Sequence, residues 1–222
     1  YSVIAHDLRS PMGSIKMVLN MLMLNLPVEK IGGEMYELLT MANRTTEDVF
    51  SLLDNLLKWT KSQIGNLNVV YQDVDAVEVV DSVIDVFNMI AGLKKITIRE
   101  EKPEKLPVCA DIDMLKTIIR NLLSNAIKFS NENSEVLVKM EEQGDTVVVS
   151  VKDSGCGIDE EGQKKLLHTD THFSTFGTNN EEGSGLGLLL CQDFVVKNGG
   201  KLWFTSKEGE GSIFSFSIPV KK

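Results

Sequence analysis

Ile4, Leu8, Pro11, Ile15, Val18 and Leu22 recur at steps of four and three near the start of the chain. That spacing gathers apolar side chains on one stripe of a helix. Met35, Leu39, Ala42, Val49, Leu53 and Leu56 make a second stripe, with Thr46 as a polar break. Pro27 and Gly32-Gly33 supply a turn between the two. Two helices packed only on each other cannot cover both stripes. The first third of the chain must therefore be a helical hairpin that seeks further helices, and a second copy completing a four-helix bundle meets the need.

Beyond residue 66 the pattern changes. Thr146–Val151 is an apolar strand run, preceded by alternation over Glu135–Met140. Lys201–Ser206 and Ser212–Pro219 flank Glu208-Gly-Glu-Gly211 as a closing hairpin. Val77–Leu93, Asp113–Phe129 and Leu186–Lys197 carry helical spacing. Long helices beside a mixed sheet make an α/β sandwich. The expected class is α+β multidomain, with a hairpin domain over residues 1–66 and a sandwich over 67–222. The polar stretch around Lys61–Asn68 reads as a hinge.

The net charge is −9, and it is unevenly spread: residues 1–66 hold 6 basic and 7 acidic groups, residues 67–222 hold 17 and 25. Such a balance argues against a nucleic-acid surface, which needs clustered Lys and Arg. Cys109, Cys156 and Cys191 have no metal-type spacing and cannot all pair, as in a reducing cytosol. No apolar run approaches the ~18–20 residues of a membrane span. The chain starts at Tyr1, without Met and inside a helical pattern, so we expect an upstream portion that carries any sensor and membrane anchor.

His6 lies about 200° around the helix from Ile4, given ~100° per residue, and so off the apolar stripe. Its neighbour Asp7 suits acceptance of the Nδ1 proton, leaving Nε2 as a nucleophile. Ser10 shares the face one turn on. Pro11 lacks an N–H, so a kink is expected just past His6. Taken alone, a His beside an Asp on a helix is an ordinary solvated residue; the motifs downstream decide otherwise.

Asn121, Asn125 and Lys128 fall at i, i+4 and i+7, on one helical face, opposite Ile118, Ile119, Leu122, Leu123 and Ile127. Two carboxamide oxygens and an ammonium on one stripe suit a hydrated Mg²⁺ and the phosphates it bridges, although an amphipathic helix has a polar face for solubility too. Asp153 ends an apolar strand before Gly155 and Gly157. There a carboxylate can accept from an exocyclic amine such as adenine's, and glycine lets backbone approach a base; an ordinary Asp-Ser-Gly turn has the same letters. Gly183-Ser-Gly185-Leu186-Gly187 opens a helix whose exposed N–H groups favour phosphates. Its spacing is neither G-x-G-x-x-G nor a P-loop. His168 and His172 lie four apart with no Cys or further His beside them, which argues against zinc.

These stretches stand in the order of the H, N, G1 and G2 boxes, and together they resemble the sensor histidine kinases of two-component systems. The resemblance spans residues 1 to about 219. It implies a dimerising hairpin whose His6 takes a phosphoryl group from ATP, with Asp7 and Asn121 assisting. It also implies a GHKL (Bergerat-type) ATPase domain. Its ATP and Mg²⁺ pocket would use Asn121, Asn125, Lys128, Phe129, Asp153, Gly155, Gly157, Gly183, Gly185, Leu186 and Gly187. Phe173 and Phe176 would be the F-box of the ATP lid, with Asn121 and Asn125 on the metal. The implied partners are a second copy and the receiver domain of a response regulator, and the implied location is the cytoplasmic side of an inner-membrane sensor. Hydrolytic members of the superfamily carry Glu where this chain has Asn121, and an amide cannot serve as base for water. Two departures stand out. Ser10 replaces the Thr or Asn of phosphatase-competent members, and the lid offers Lys164 and Lys165 where many relatives have Arg. The rival readings are a non-kinase ATPase of this superfamily and an ATP-binding scaffold without catalysis.

Overall fold

The computed structural model describes residues 2–26, 31–63, 68–166, 177–178 and 185–220; the side chains of residues 2–10, 44, 48, 61 and 63 lie outside that description. The chain divides into two compact units, Tyr1–Leu67 and Asn68–Lys222.

Among its described residues the first unit carries two long helices, α1 (Ser2–Asn25) and α2 (Gly33–Gln63). α1 continues through Pro11, and α2 starts just after Gly32, whose φ is +79°. The two pack lengthwise. Gly13 lies beside the Phe50 ring, and Lys16 reaches across to Glu47 at 3.3 Å. An exposed pair of this kind adds little. Leu53, Leu57 and Thr46 are buried, and Thr46 Oγ1 donates back to the Ala42 carbonyl at 2.8 Å. The polar break in the second stripe is thus satisfied within its own helix. Ile15, Val18 and Leu22 of the first stripe remain exposed, as do Met35 and Val49 of the second. The turn residues 27–30 and the hinge residues 64–67 lie outside the described residues.

The second unit carries β1 (Gln72–Asp75), α3 (Ala76–Leu93), β2 (Thr97–Glu101), β3 (Pro107–Ala110), α4 (Ile112–Phe129), β4 (Glu135–Gln143), β5 (Thr146–Lys152), α5 (Glu160–Lys165), α6 (Gly187–Lys197), β6 (Leu202–Lys207) and β7 (Gly211–Pro219). β1 pairs antiparallel with β3. The other five form a mixed sheet in the order β2-β4-β5-β7-β6, with β2 parallel to β4 and every other pairing antiparallel.

One face of this sheet is apolar and the other is not. Val147, Val149 and Val151 of β5 alternate with Val148, Ser150 and Lys152, and their partners Ile218, Phe216 and Phe214 on β7 fall on the same side. Against that side lie the buried Leu115, Ile118, Ile119, Leu122 and Leu123 of α4, with Leu190, Phe194 and Val195 of α6 and Val80, Val83 and Ile84 of α3. Each such side chain taken out of water stabilises by roughly 1.5–3 kcal/mol. The opposite face is more polar, with Val148, Ser215 and Ser217 buried there, and Ser150 and Ser215 share a hydroxyl hydrogen bond across it at 2.8 Å. Here is the α/β sandwich expected from the pattern. β1, β2, β3 and the short α5 were not expected. β2 reads Thr-Ile-Arg-Glu-Glu, an edge strand whose charge hides it from pattern and protects it from mispairing.

Helix ends are closed by local chemistry. Asp75 caps α3 through Val77 N, and Asp111 caps α4 through Asp113 N and Met114 N, both at 3.0 Å. α3 stops in a tight turn: Lys95 sits at φ +56°, and Ile96 N returns to the Ala91 carbonyl at 2.9 Å. That turn sends Ile96 into the core and leaves Lys94, also buried, pointing toward the end of α4.

Candidate nucleotide site

α4 supplies the first wall. Its apolar residues lock into the sandwich, so Asn121, Asn125 and Lys128 share the remaining, half-buried face. Asn121 Nδ2 donates to the Thr117 carbonyl one turn back at 2.9 Å, which leaves Oδ1 as the atom turned outward. That oxygen meets the start of α6: a Cβ built on Gly187 would stand 2.6 Å from it. The second Gly-rich motif therefore arrives directly on the carboxamide. Gly185 holds φ +67°, and α6 begins at Gly187 behind Leu186, whose side chain gives no cap. A helix N-terminus is a favourable place for anionic oxygens. Behind this contact Cys191 is fully buried against the Ile118 carbonyl, and burial pushes its thiol far up, so it is a packing residue.

The far wall is the turn after β5. Asp153 is buried, and its Oδ1 accepts from Gly155 N at 3.0 Å and Ser212 N at 3.2 Å. The two bonds fix the carboxylate and leave Oδ2 for a donor outside the turn. Burial holds this carboxyl above its usual value, and the N–H groups of Gly155 and Ser212 pull it partly back. The glycines are required by close approach. A Cβ at Gly155 would stand 2.0 Å from the Phe129 carbonyl oxygen, and one at Gly157, where φ is +66°, 2.0 Å from that of Lys207. Cys156 N donates to Phe129 O at 3.3 Å, so this turn is stitched to the last residue of α4.

The C-terminal turn of α4 is accordingly a junction. Lys94 Nζ donates to the carbonyls of Ile127 at 3.1 Å and Lys128 at 2.9 Å, and to Thr178 Oγ1 at 2.5 Å. Thr178 donates from N to Lys128 O at 3.2 Å and from Oγ1 to Ser130 O at 2.7 Å. Lys128 Nζ lies over the Phe129 ring, 4.8 Å from its centroid. Sequence reasoning passed over Lys94, Thr117, Thr178 and Ser212. A lysine in the last turn of a helix is an ordinary cap, and nothing local shows that Lys94 serves a different helix 33 residues further on.

Asn121, Asn125, Lys128, Phe129, Asp153, Gly155, Gly157, Gly185, Leu186 and Gly187 are thus gathered by α4, the turn after β5 and the start of α6. Phe173, Phe176 and Gly183 lie outside the described residues, as do His168 and His172. His6 and Asp7 are on α1, with side chains outside the description. Among the lysines expected near the lid, Lys165 pairs with Glu161 at 2.5 Å and Lys164 is exposed. No cluster of three or more His, Cys, Asp or Glu among the described residues could hold a metal. The donors present are neutral amide oxygens, which fits a metal brought in on phosphates and does not fit an all-protein cage.

Residues 110–222 match the family model described as histidine kinase-, DNA gyrase B-, and HSP90-like ATPase. The adaptive-response sensory kinase SasA of Crocosphaera subtropica is 30% identical over 224 residues, covering 99% of this chain and 58% of its own length. The chain therefore spans little more than half of that relative. A solved catalytic domain of histidine kinase ThkA is 31% identical, with a TM-score of 0.59 over 68% of this chain and 96% of that domain. Full-length ShkA, solved with AMPPNP, aligns over 99% of this chain and 45% of its own, with a TM-score of 0.75; at 22% identity that likeness shows the fold alone. No described helix is long and apolar enough to cross a membrane.

Proposed function

The chain belongs to the histidine kinase-, DNA gyrase B- and HSP90-like ATPase family, and from that premise we propose that it is the catalytic core of a sensor histidine kinase, phosphorylating itself on His6. In this reading residues 67–222 bind ATP and residues 1–66 form the dimerisation and phosphoacceptor domain. The observation that carries it is the meeting of Asn121 Oδ1 with the start of α6, about two turns along α4 from Phe129, to which the turn of the buried Asp153 is stitched. This layout matches the two ends of ATP. The Asp153 Oδ2 accepts from the adenine amine, while Gly155 and Gly157 hold this base-side turn close against the backbone of Phe129 and Lys207. The α6 N–H groups and Lys128 take the phosphates. Mg²⁺, when bound with the nucleotide, would neutralise phosphate charge and be held on the protein side by Asn121 and Asn125.

His6 Nε2 attacks the γ-phosphorus in line. A nitrogen–phosphorus bond forms as the bond to the ADP oxygen breaks, and Asp7 takes the Nδ1 proton. The phosphoryl group then passes to an aspartate on a response-regulator receiver domain, on the cytoplasmic side. Asn121 favours transfer over hydrolysis, because an amide cannot activate water. Two copies are needed to cover Ile15, Val18 and Leu22, which α1 and α2 leave exposed.

The test is incubation with γ-labelled ATP and Mg²⁺, alongside His6→Gln and Asn125→Ala. Acid-labile, base-stable label on the parent and on neither variant is the expected result. ATP binding with no label would sink the kinase reading and favour a scaffold. Steady phosphate release without labelled protein would favour a hydrolase.

A further inference from the structure

The junction at the end of α4 joins three parts of the second unit that are remote in sequence. The last carbonyls of a helix have no partner within the helix and carry the negative end of its dipole. Here they are shared out. Ile127 O and Lys128 O go to Lys94, Lys128 O also to the Thr178 amide, Phe129 O to Cys156 N, and Ser130 O to the Thr178 hydroxyl. Lys94 is only 7% exposed, far more buried than a lysine that simply decorates a helix end. It enters from α3 and reaches the backbone of one of the residues expected to meet nucleotide, Lys128. The turn that carries Asp153 is anchored separately, through Cys156 N on Phe129 O.

We propose that Lys94 is a positioning residue for the phosphate half of the site: its ammonium, bridging the Ile127 and Lys128 carbonyls to Thr178, sets the course of the Lys128 backbone and holds Thr178 beside it. The proposal rests on the ATP-binding reading given above. Because the base-side turn has its own anchor, losing the bridge weakens the grip on phosphates and spares the grip on the base. A residue that merely stabilised the fold would affect both alike or neither.

The experiment compares binding of ATP and of adenosine to the whole chain, by calorimetry, for the parent, Lys94→Met, Thr178→Val and the double variant, with thermal unfolding recorded for each. Lys94→Met keeps the aliphatic stem and removes the donor. The expected result is an ATP affinity lowered about tenfold with adenosine affinity unchanged within about twofold. Thr178→Val should shift ATP in the same direction by a smaller factor, and the double variant should be no worse than Lys94→Met, as for two parts of one bridge. Unchanged ATP affinity in a folded Lys94→Met chain, or parallel loss of ATP and adenosine, overturns the proposal. If Lys94→Met does not fold, Thr178→Val decides: an ATP affinity equal to the parent's overturns it. A parent that binds adenosine and ATP equally weakly would instead overturn the nucleotide reading itself.

Discussion

Asn121 and Gly187 are fitted to each other: the amide oxygen of one occupies the space a Cβ on the other would need, at 2.6 Å. The residues lie 66 positions apart, on α4 and at the first turn of α6. The amide can swing clear only by giving up the hydrogen bond from its nitrogen to the Thr117 carbonyl.

We therefore predict that Gly187→Ala displaces the Asn121 side chain and lowers self-phosphorylation at least about tenfold, equivalent to ~1.4 kcal/mol of activation free energy. Overpacking should cost ~1–3 kcal/mol of stability at most, so the protein remains folded. Labelling rates beside thermal melts check this. Normal labelling in a folded variant would show that Asn121 has no part in the reaction.

Gly155→Ala should be worse for the fold, because its Cβ meets backbone, the Phe129 carbonyl oxygen at 2.0 Å, and backbone cannot rotate away. Gly92, with open space around it, is the control: Gly92→Ala should stabilise by ~0.5–1 kcal/mol through helix propensity. Urea unfolding of both variants tests the contrast, and equal midpoints would contradict it.

Asp153→Asn separates stability from function. A carboxyl held above its usual 3.8 by burial weakens the fold at neutral pH, and that penalty recedes as pH falls through the raised value toward 3.8. The variant should melt higher than the parent at pH 7, with the gap closing on acidification. Its ATP affinity should fall roughly ten- to hundredfold, as for loss of a hydrogen bond to a charged acceptor worth ~1.5–3 kcal/mol. A gap that widens toward low pH would reverse the assignment of cause.

Val18→Glu with Leu22→Glu places two charges in the stripe that α1 leaves exposed. Sedimentation should show the parent as a dimer and the variant as a monomer, with ATP affinity of the second unit unchanged. A monomeric parent would remove the four-helix bundle from the proposal.

Ser130→Ala removes a buried hydroxyl that has no hydrogen-bond partner among the described residues. We predict no loss of stability and a gain of up to ~1 kcal/mol. A clear loss would mean that the hydroxyl is bound through a water.

What the chain shows by itself is local. The 100° step of a helix puts Asn121, Asn125 and Lys128 on one face wherever that helix ends up. The two-residue repeat of a strand does the same for Val147, Val149 and Val151, and the order of the motifs along the chain is enough to point to the family. The four-residue β1 and the charged β2 could not be found this way, since their evidence is a partner strand far along the chain, as with Gln72 opposite Ala110. Tertiary structure alone decided which glycines are indispensable, because a glycine's need depends on what backbone passes 2.0 Å from its missing Cβ. It alone brought Lys94 to the Lys128 carbonyl and Thr178, 84 residues away. Spacing along the chain encodes faces; only packing determines which faces meet, and a hydrogen bond to a backbone carbonyl leaves no mark on the residue that accepts it.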